Sequence, residues 1–495
     1  MKNIIKILSI FVLASVTFSS CFDELLEPVP QTAISDLTAF DTKDRVVGQV
    51  NGLYAAVKSG AYLGGRYQIY NDIRGDDFLN LQSNGVTGLQ TWTHNLSPST
   101  SEVVNLWQQV YFVINRINLF LEGLEGMRAD PAKAGILTDD EYNQFRGEAL
   151  ALRGMAYFHL SMLYARPYNQ NPSGPGLILR LTANRTSADN DMARSTVAET
   201  YAQILSDLNT AEPLLPLSHT AGTANSVLNV SRMHRNTVIA LKTRVYLHMN
   251  NYQAVLTEGN KIVPAAPPFV AGSGVADALA PTFAGIFAAP YTTFESIFSI
   301  PMTSVELPGT QNQLGHYFTP PPAGNNEYPI NQQSPVWTNL TDFPEDDARR
   351  QLTVKNTVSG ADHIWIYKYP TFPHTDYAPV IRYAEVVLNV AEAEARQNGV
   401  NARAVALLNA VYERSNPGRT YSVGDFASAD AFVDRVMRER NMEFLGEGIR
   451  NMDIMRKVAP FEAKATAQAV PPNSPAYVWP ISEREMNTNN LVVQN

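Results

Sequence analysis

Along much of the chain apolar residues recur at steps of three and four, the spacing that lines one face of a helix. The clearest run is 139–164, where Tyr142, Phe145, Ala149, Leu152, Ala156, Leu160 and Leu163 form one stripe. Asp139 and Asp140 place acidic charge at its N-terminal end, which the helix dipole favours, and Pro167 cannot continue it. Similar stripes predict helices over 41–59, 103–125, 196–212, 232–250, 252–263, 380–397 and 401–413. Two pairs, 232–250 with 252–263 and 380–397 with 401–413, are separated by very short connections, and Ala391, Ala393 and Ala395 supply small residues for a close crossing. This pattern predicts stacked antiparallel helix pairs akin to tetratricopeptide repeats, without the strict repeat consensus.

Two stretches break the helical period. Residues 264–379 hold 16 of the 31 prolines, together with Trp337, Trp365 and many Tyr and Phe, and are expected to form loops and short strands. Residues 60–102 carry Gly60, Gly64, Gly65, Tyr67, Tyr70, Gly75 and Trp92. Loops mounted on a rigid scaffold are where binding concentrates. Sugar rings offer flat C–H faces to aromatic side chains and hydroxyls to polar ones, so the candidate ligand contacts are Tyr67, Arg74, Trp92, Tyr328 and Trp337. Trp107 and Trp479 fall in helical or motif contexts and are expected in the core.

The N-terminus reads as an export signal. Lys2 and Lys6 precede a short apolar stretch from Ile7 to Phe18, and Ser19 and Ser20 lead into Cys21, the one cysteine of the chain. Small residues before a lone cysteine resemble a bacterial lipobox, which makes Cys21 the lipidation site and leaves 21–40 as a tether stiffened by Pro28 and Pro30. No later segment is long and apolar enough to span a bilayer.

Composition narrows the function classes. The 495 residues include 45% hydrophobic positions, enough for a large core, and the net charge of −9 comes without a basic tract, which excludes nucleic acid as a partner. One cysteine excludes an internal disulfide and a thiolate zinc site. There is no GxSxG, HExxH, GxGxxG or Walker loop. His363 and His374 are the nearest histidine pair, too far apart to share a helix face, and Asp342, Glu345, Asp346 and Asp347 lack EF-hand spacing and read as a surface charge cluster. No catalytic residue, metal site or cofactor is assigned. The helical charges are expected to be structural: Glu392 with Arg396, Arg440 with Glu443 and Arg450 with Asp453, with a bend at Gly446 and Gly448.

Several motifs carry a resemblance. GEALALRGMAYF (147–158) is similar to GEAxxLRAxxYF, RYAEVVLNVAEA (382–393) to RYAEVLLNYAEA, and ERNMEFLGEGIRNMDI (439–454) to ERRxELxxEGxRxxDL. Asp347-Ala348-Arg349, Lys368-Tyr369 and Trp479-Pro480-Ile481 stand in the same order. Together they resemble the SusD/RagB outer-membrane lipoproteins of Bacteroidota, with two departures, at Tyr412 in the LNxxRxRAG position and at Asn451 after EGxR. Asp23, Glu24 and Glu27 look like the signal that sends such lipoproteins to the outer face of the outer membrane.

The resemblance implies a mainly α fold, a right-handed superhelix of TPR-like helix pairs with loop-rich insertions and a mixed C-terminal part. The expected organisation is a signal peptide at 1–20, the lipidated tether at 21–40, an N-terminal helical region at 41–263, the loop insertion at 264–379 and a C-terminal SusD/RagB region at 380–495. The implied function is capture of an oligosaccharide or peptide for a SusC-like TonB-dependent β-barrel. Two alternatives stay open at this level: a surface glycoside hydrolase using paired carboxylates, and a TPR-type interaction adaptor.

Overall fold

The computed structural model describes residues 38–82, 87–186, 190–220, 226–309 and 311–495. The signal peptide, Cys21 and nearly all of the tether lie outside the described residues. Helices dominate: α1 (Lys43–Val57), α2 (Arg66–Ile73), α3 (Leu89–Thr93), α4 (Ser101–Ala129), α5 (Asp139–Tyr164), α6 (Val197–Leu214), α7 (Arg235–His248), α8 (Tyr252–Gly259), α9 (Tyr383–Asn398), α10 (Ala402–Ser415), α11 (Ala429–Glu443) and α12 (Arg450–Arg456). Helix α5 has the predicted bounds. A reciprocal cap fixes its start, with Thr138 Oγ1 accepting from the Glu141 amide at 3.3 Å and Glu141 accepting from the Thr138 amide at 3.1 Å.

From Gly147 to Tyr164 every α5 residue is buried, because α4 packs on one side and α6 on the other. Gly154 lets α6 approach: a Cβ there would stand 3.1 Å from the Leu208 side chain. The paired helices predicted from spacing are present as α7 with α8 and α9 with α10, and α8 in turn packs on α9. Their turns use residues that tolerate a left-handed backbone, Asn250 (φ 55°) and Gly399 (φ 74°), followed by the N-caps Asn251 and Asn401. One continuous apolar core runs through these layers from Val46 to Val492.

Four strands form two antiparallel pairs among the described residues: β1 (Ser296–Ile300) with β4 (Ala378–Arg382), and β2 (Thr353–Val358) with β3 (Ala361–Ile366). The β2–β3 hairpin turns through Ser359 (φ 53°) and Gly360 (φ 82°), the primed geometry that matches strand twist. The helix expected from residue 380 begins only at Tyr383. Pro379, Val380 and Ile381 are taken by β4, and the Tyr383 amide donates to the Glu295 carbonyl at 2.8 Å instead of continuing a helix. Gly446 (φ 83°) and Gly448 (φ 80°) make the expected bend between α11 and α12.

Candidate functional site

The charged motif residues are interior and join distant parts of the chain. Arg244 binds Glu385 through Nε at 2.7 Å and Nη2 at 2.6 Å. Arg456 holds both oxygens of Glu392, at 2.9 and 2.8 Å, and Asp453 at 2.8 Å. Arg382 reaches Glu443 at 3.0 Å and Glu447 at 2.7 Å and also binds Glu295, while Arg414 binds Glu295 at 2.6 Å and Glu443 at 2.5 Å. Burial alone would raise the Glu443 carboxyl, but Arg414, Arg382 and Arg349 outweigh it and hold it at about 2. Asp453 is likewise held well below the carboxylate range by Arg440 and Arg456 despite its burial.

The local pairs expected from helical spacing are therefore corrected. Glu392 faces Arg456 rather than Arg396, which binds Asp430; Arg440 binds Asp453; and Arg450 binds Asp76 at 2.7 Å. Glu392, Arg440 and Arg450 each meet a partner from another segment because they lie on faces packed against the rest of the chain. The acids at 342–347 also diverge: Asp347 is buried on Arg349, Asp342 meets Arg435 and Arg438, and Asp346 meets Arg419. Trp107 and Trp479 are core residues.

Four of the five expected ligand contacts are enclosed. Tyr67 on α2 stacks on His159 with ring centroids 4.4 Å apart. Arg74 donates to Asn451 Oδ1 at 3.0 Å and to the Tyr477 carbonyl at 2.7 Å, and its guanidinium lies 4.5 Å from the Phe461 ring centre. Trp92 Nε1 donates to the Phe78 carbonyl at 2.9 Å, and the Tyr328 hydroxyl to the Thr87 carbonyl at 2.8 Å. Residues 67–78 fold inward against the C-terminal segment and enclose Tyr67 and Arg74, while Trp92 and Tyr328 are buried on the Phe78 and Thr87 carbonyls, contrary to the expectation that these four residues line surface loops. Trp337 alone of the five is only partly buried, with the Arg350 guanidinium 4.1 Å from its ring centre.

The insertion nevertheless presents aromatic surface elsewhere. Phe372 is 73% exposed at the tip of a loop that closes on Asp376. Asp376 accepts from the Thr371 amide at 3.0 Å, from its hydroxyl at 2.8 Å and from the Tyr291 hydroxyl at 3.2 Å. Burial raises the Asp376 carboxyl above its ordinary range, although these donors oppose the shift. The Tyr291 and Tyr377 rings lie with centroids 5.1 Å apart, tilted by 31°, beside a crevice of about 20 Å³, room for little more than a water or one hydroxyl. Tyr291 takes a left-handed backbone (φ 64°), costly for a bulky residue, and such outliers concentrate at working surfaces. Sequence reading passed over this cap, yet it left a signal: Phe372 stands between Pro370 and Pro373, where no helix or central strand can bury it.

A second concavity, of about 790 Å³, lies between α1, the turn at 303–306 and the helical turn at 227–231.

Comparison with known proteins defines the class. A family model described as "Starch-binding associating with outer membrane" matches residues 27–247, and a SusD family model matches 371–495. A crystal structure of a SusD superfamily protein from Bacteroides fragilis is 31% identical, covers 92% of this chain and 99% of its own, and superposes with a TM-score of 0.80. SusD-like protein P25 of Formosa agariphila is 25% identical over 91% of this chain and 90% of its own length. A laminarin-binding SusD-like protein shares the fold at 20% identity, with a TM-score of 0.72 over 92% of this chain and 99% of its own. The chain belongs to the SusD/RagB family, with its mainly α fold, and the family is associated with the outer membrane. No helix among the described residues is long and apolar enough to cross a membrane.

Proposed function

We propose that this chain is a non-catalytic glycan-capture lipoprotein, held through Cys21 on the outer face of the outer membrane, that hands its ligand to a SusC-like TonB-dependent β-barrel. Family membership supports a carbohydrate ligand, and the laminarin-binding neighbour is consistent with it. The observation that carries the reading is the cap of Phe372, Tyr291 and Tyr377 around Asp376 and Thr371, flat aromatic faces beside fixed polar groups. On this reading 264–379 is the ligand-bearing insertion on a helical body formed by 41–263 and 380–495. The pairing of Glu385, Glu392, Glu439, Glu443 and Asp453 with arginines weighs against the hydrolase alternative, which needs free carboxyl groups flanking a bond.

Retention on immobilised polysaccharides tests it. Phe372→Ala and Tyr377→Ala should each lose roughly 1 kcal/mol of binding, about fivefold in Kd, with the thermal midpoint unchanged. Equal retention by both variants would remove the cap as the site. Cys21→Ser should release the protein from membranes.

A further inference from the structure

The 790 Å³ groove has the size of a small-ligand site and a lining unlike that of the cap. Its floor is apolar, from Ile300, Pro301, Leu307 and Pro308, and Asn51, Ser59 and Ser231 offer amide and hydroxyl groups. Two cations line it, and they are in different states. Arg232 is satisfied: Nε and Nη2 bind both oxygens of buried Glu148 at 2.9 Å. Lys58 is held more loosely: its side chain is only 16% exposed, and its one acidic partner, Glu306, stands 3.6 Å away with a side chain 75% exposed. Glu306 sits on a tight turn, its amide donating to the Thr303 carbonyl at 3.1 Å beside Val305, which is 89% exposed. Burial lowers the Lys58 ammonium below its ordinary range, although the charge and contact of Glu306 oppose the shift.

We infer that this groove binds the anionic group of an acidic saccharide, a carboxylate or a sulfate ester, with Lys58 exchanging Glu306 for the ligand. The saccharide part of the inference rests on the glycan-capture reading; the anionic part rests on Lys58. The geometry makes the exchange cheap. Glu306 gives up a long, solvated contact, and the incoming oxyanion gains a charge-assisted hydrogen bond within a partly enclosed site. The chain's overall charge of −9 offers no general attraction for anions, so binding has to come from this local cation and should weaken as salt is added.

The test uses the mature protein with three probes: a short oligogalacturonate for the carboxylate, a short sulfated galactan for the sulfate, and a neutral gluco-oligosaccharide. At least one acidic probe should bind. Lys58→Gln should weaken that binding about tenfold or more. Glu306→Gln, on an exposed turn where folding is not at stake, should strengthen it. Neither change should alter binding of a neutral glycan that depends on Phe372. Acidic probes held equally well by Lys58→Gln, acidic binding lost in Phe372→Ala instead, or no gain in Glu306→Gln would each overturn the groove assignment and leave glycan capture standing. Neutral glycans bound while both acidic probes are ignored would do the same. Failure of every probe to bind would remove both readings together.

Discussion

Arg456, fully buried, is held by two acids, Glu392 on α9 and Asp453 one turn earlier on its own helix α12. Removing one partner of such a set leaves charge stranded in the interior, so Arg456→Met should cost about 3–5 kcal/mol in urea unfolding. Lys355→Ala, at the exposed pair with Asp362, should cost less than about 1 kcal/mol. That these charges are structural was legible from their helical setting, but their partners were not. Spacing along one helix offers Arg396 to Glu392, whereas the real partner comes from a segment 64 positions away. The two departures from the family pattern are also settled by distant contacts. Asn451 accepts from Arg74 and donates to Asn71 and to the Met162 carbonyl, and the Tyr412 ring lies 4.9 Å from the Arg435 guanidinium. The same blindness explains Tyr67, Arg74 and Trp92, where glycine-rich sequence looked like loop and nothing local reveals that 67–78 fold back onto the C-terminal segment; Tyr328, in the proline-rich stretch, is likewise enclosed by a distant contact, its hydroxyl on the Thr87 carbonyl. Phe372, whose Pro-bounded position is local, could have been chosen.

Among the elements, helices whose apolar stripe repeats over several turns were readable, including both short-turn pairs and the bend at Gly446 and Gly448. The start of α9 was not, because Val380 and Ile381 satisfy a helical stripe and a strand equally, and β1 decides between them by pairing. Glycines separate packing from propensity at this scale. Gly259, at the end of α8, faces α9 so closely that an added Cβ would stand 2.3 Å from Val390 Cγ2, so Gly259→Ala should cost about 1–3 kcal/mol. Gly126 in α4 is exposed with nothing within 4 Å of an added Cβ, so Gly126→Ala should gain about 0.5–1 kcal/mol. Denaturant midpoints of the two variants, shifted in opposite directions, check both.

The whole molecule carries many buried titratable groups, and its stability should follow pH accordingly. Burial lowers His94 to about 2, His234 to about 3 and His316 to about 4, and also lowers His159, His219, His248 and His374. Unfolded histidine binds a proton near 6.5 that these folded imidazoles refuse, so stability drops as pH falls below that value. Asp72 is raised by burial to about 8, and Asp77, Glu102 and Asp277 to about 7. These carboxyls keep protons that the unfolded chain has released, so stability is lost as pH climbs through 7 to 8. The urea midpoint should therefore be higher near pH 6.5 than at about pH 4.5 or pH 8. Capture without cleavage is the property that separates this protein from a surface hydrolase, and the fate of bound glycan measures it directly. The purified chain is incubated with a polysaccharide it retains, the complex is recovered, and the released glycan is sized by chromatography. Glycan of unchanged length, held by wild type and released early by Phe372→Ala, is the expected result. Shortened products that disappear on substituting a single Asp or Glu would contradict it.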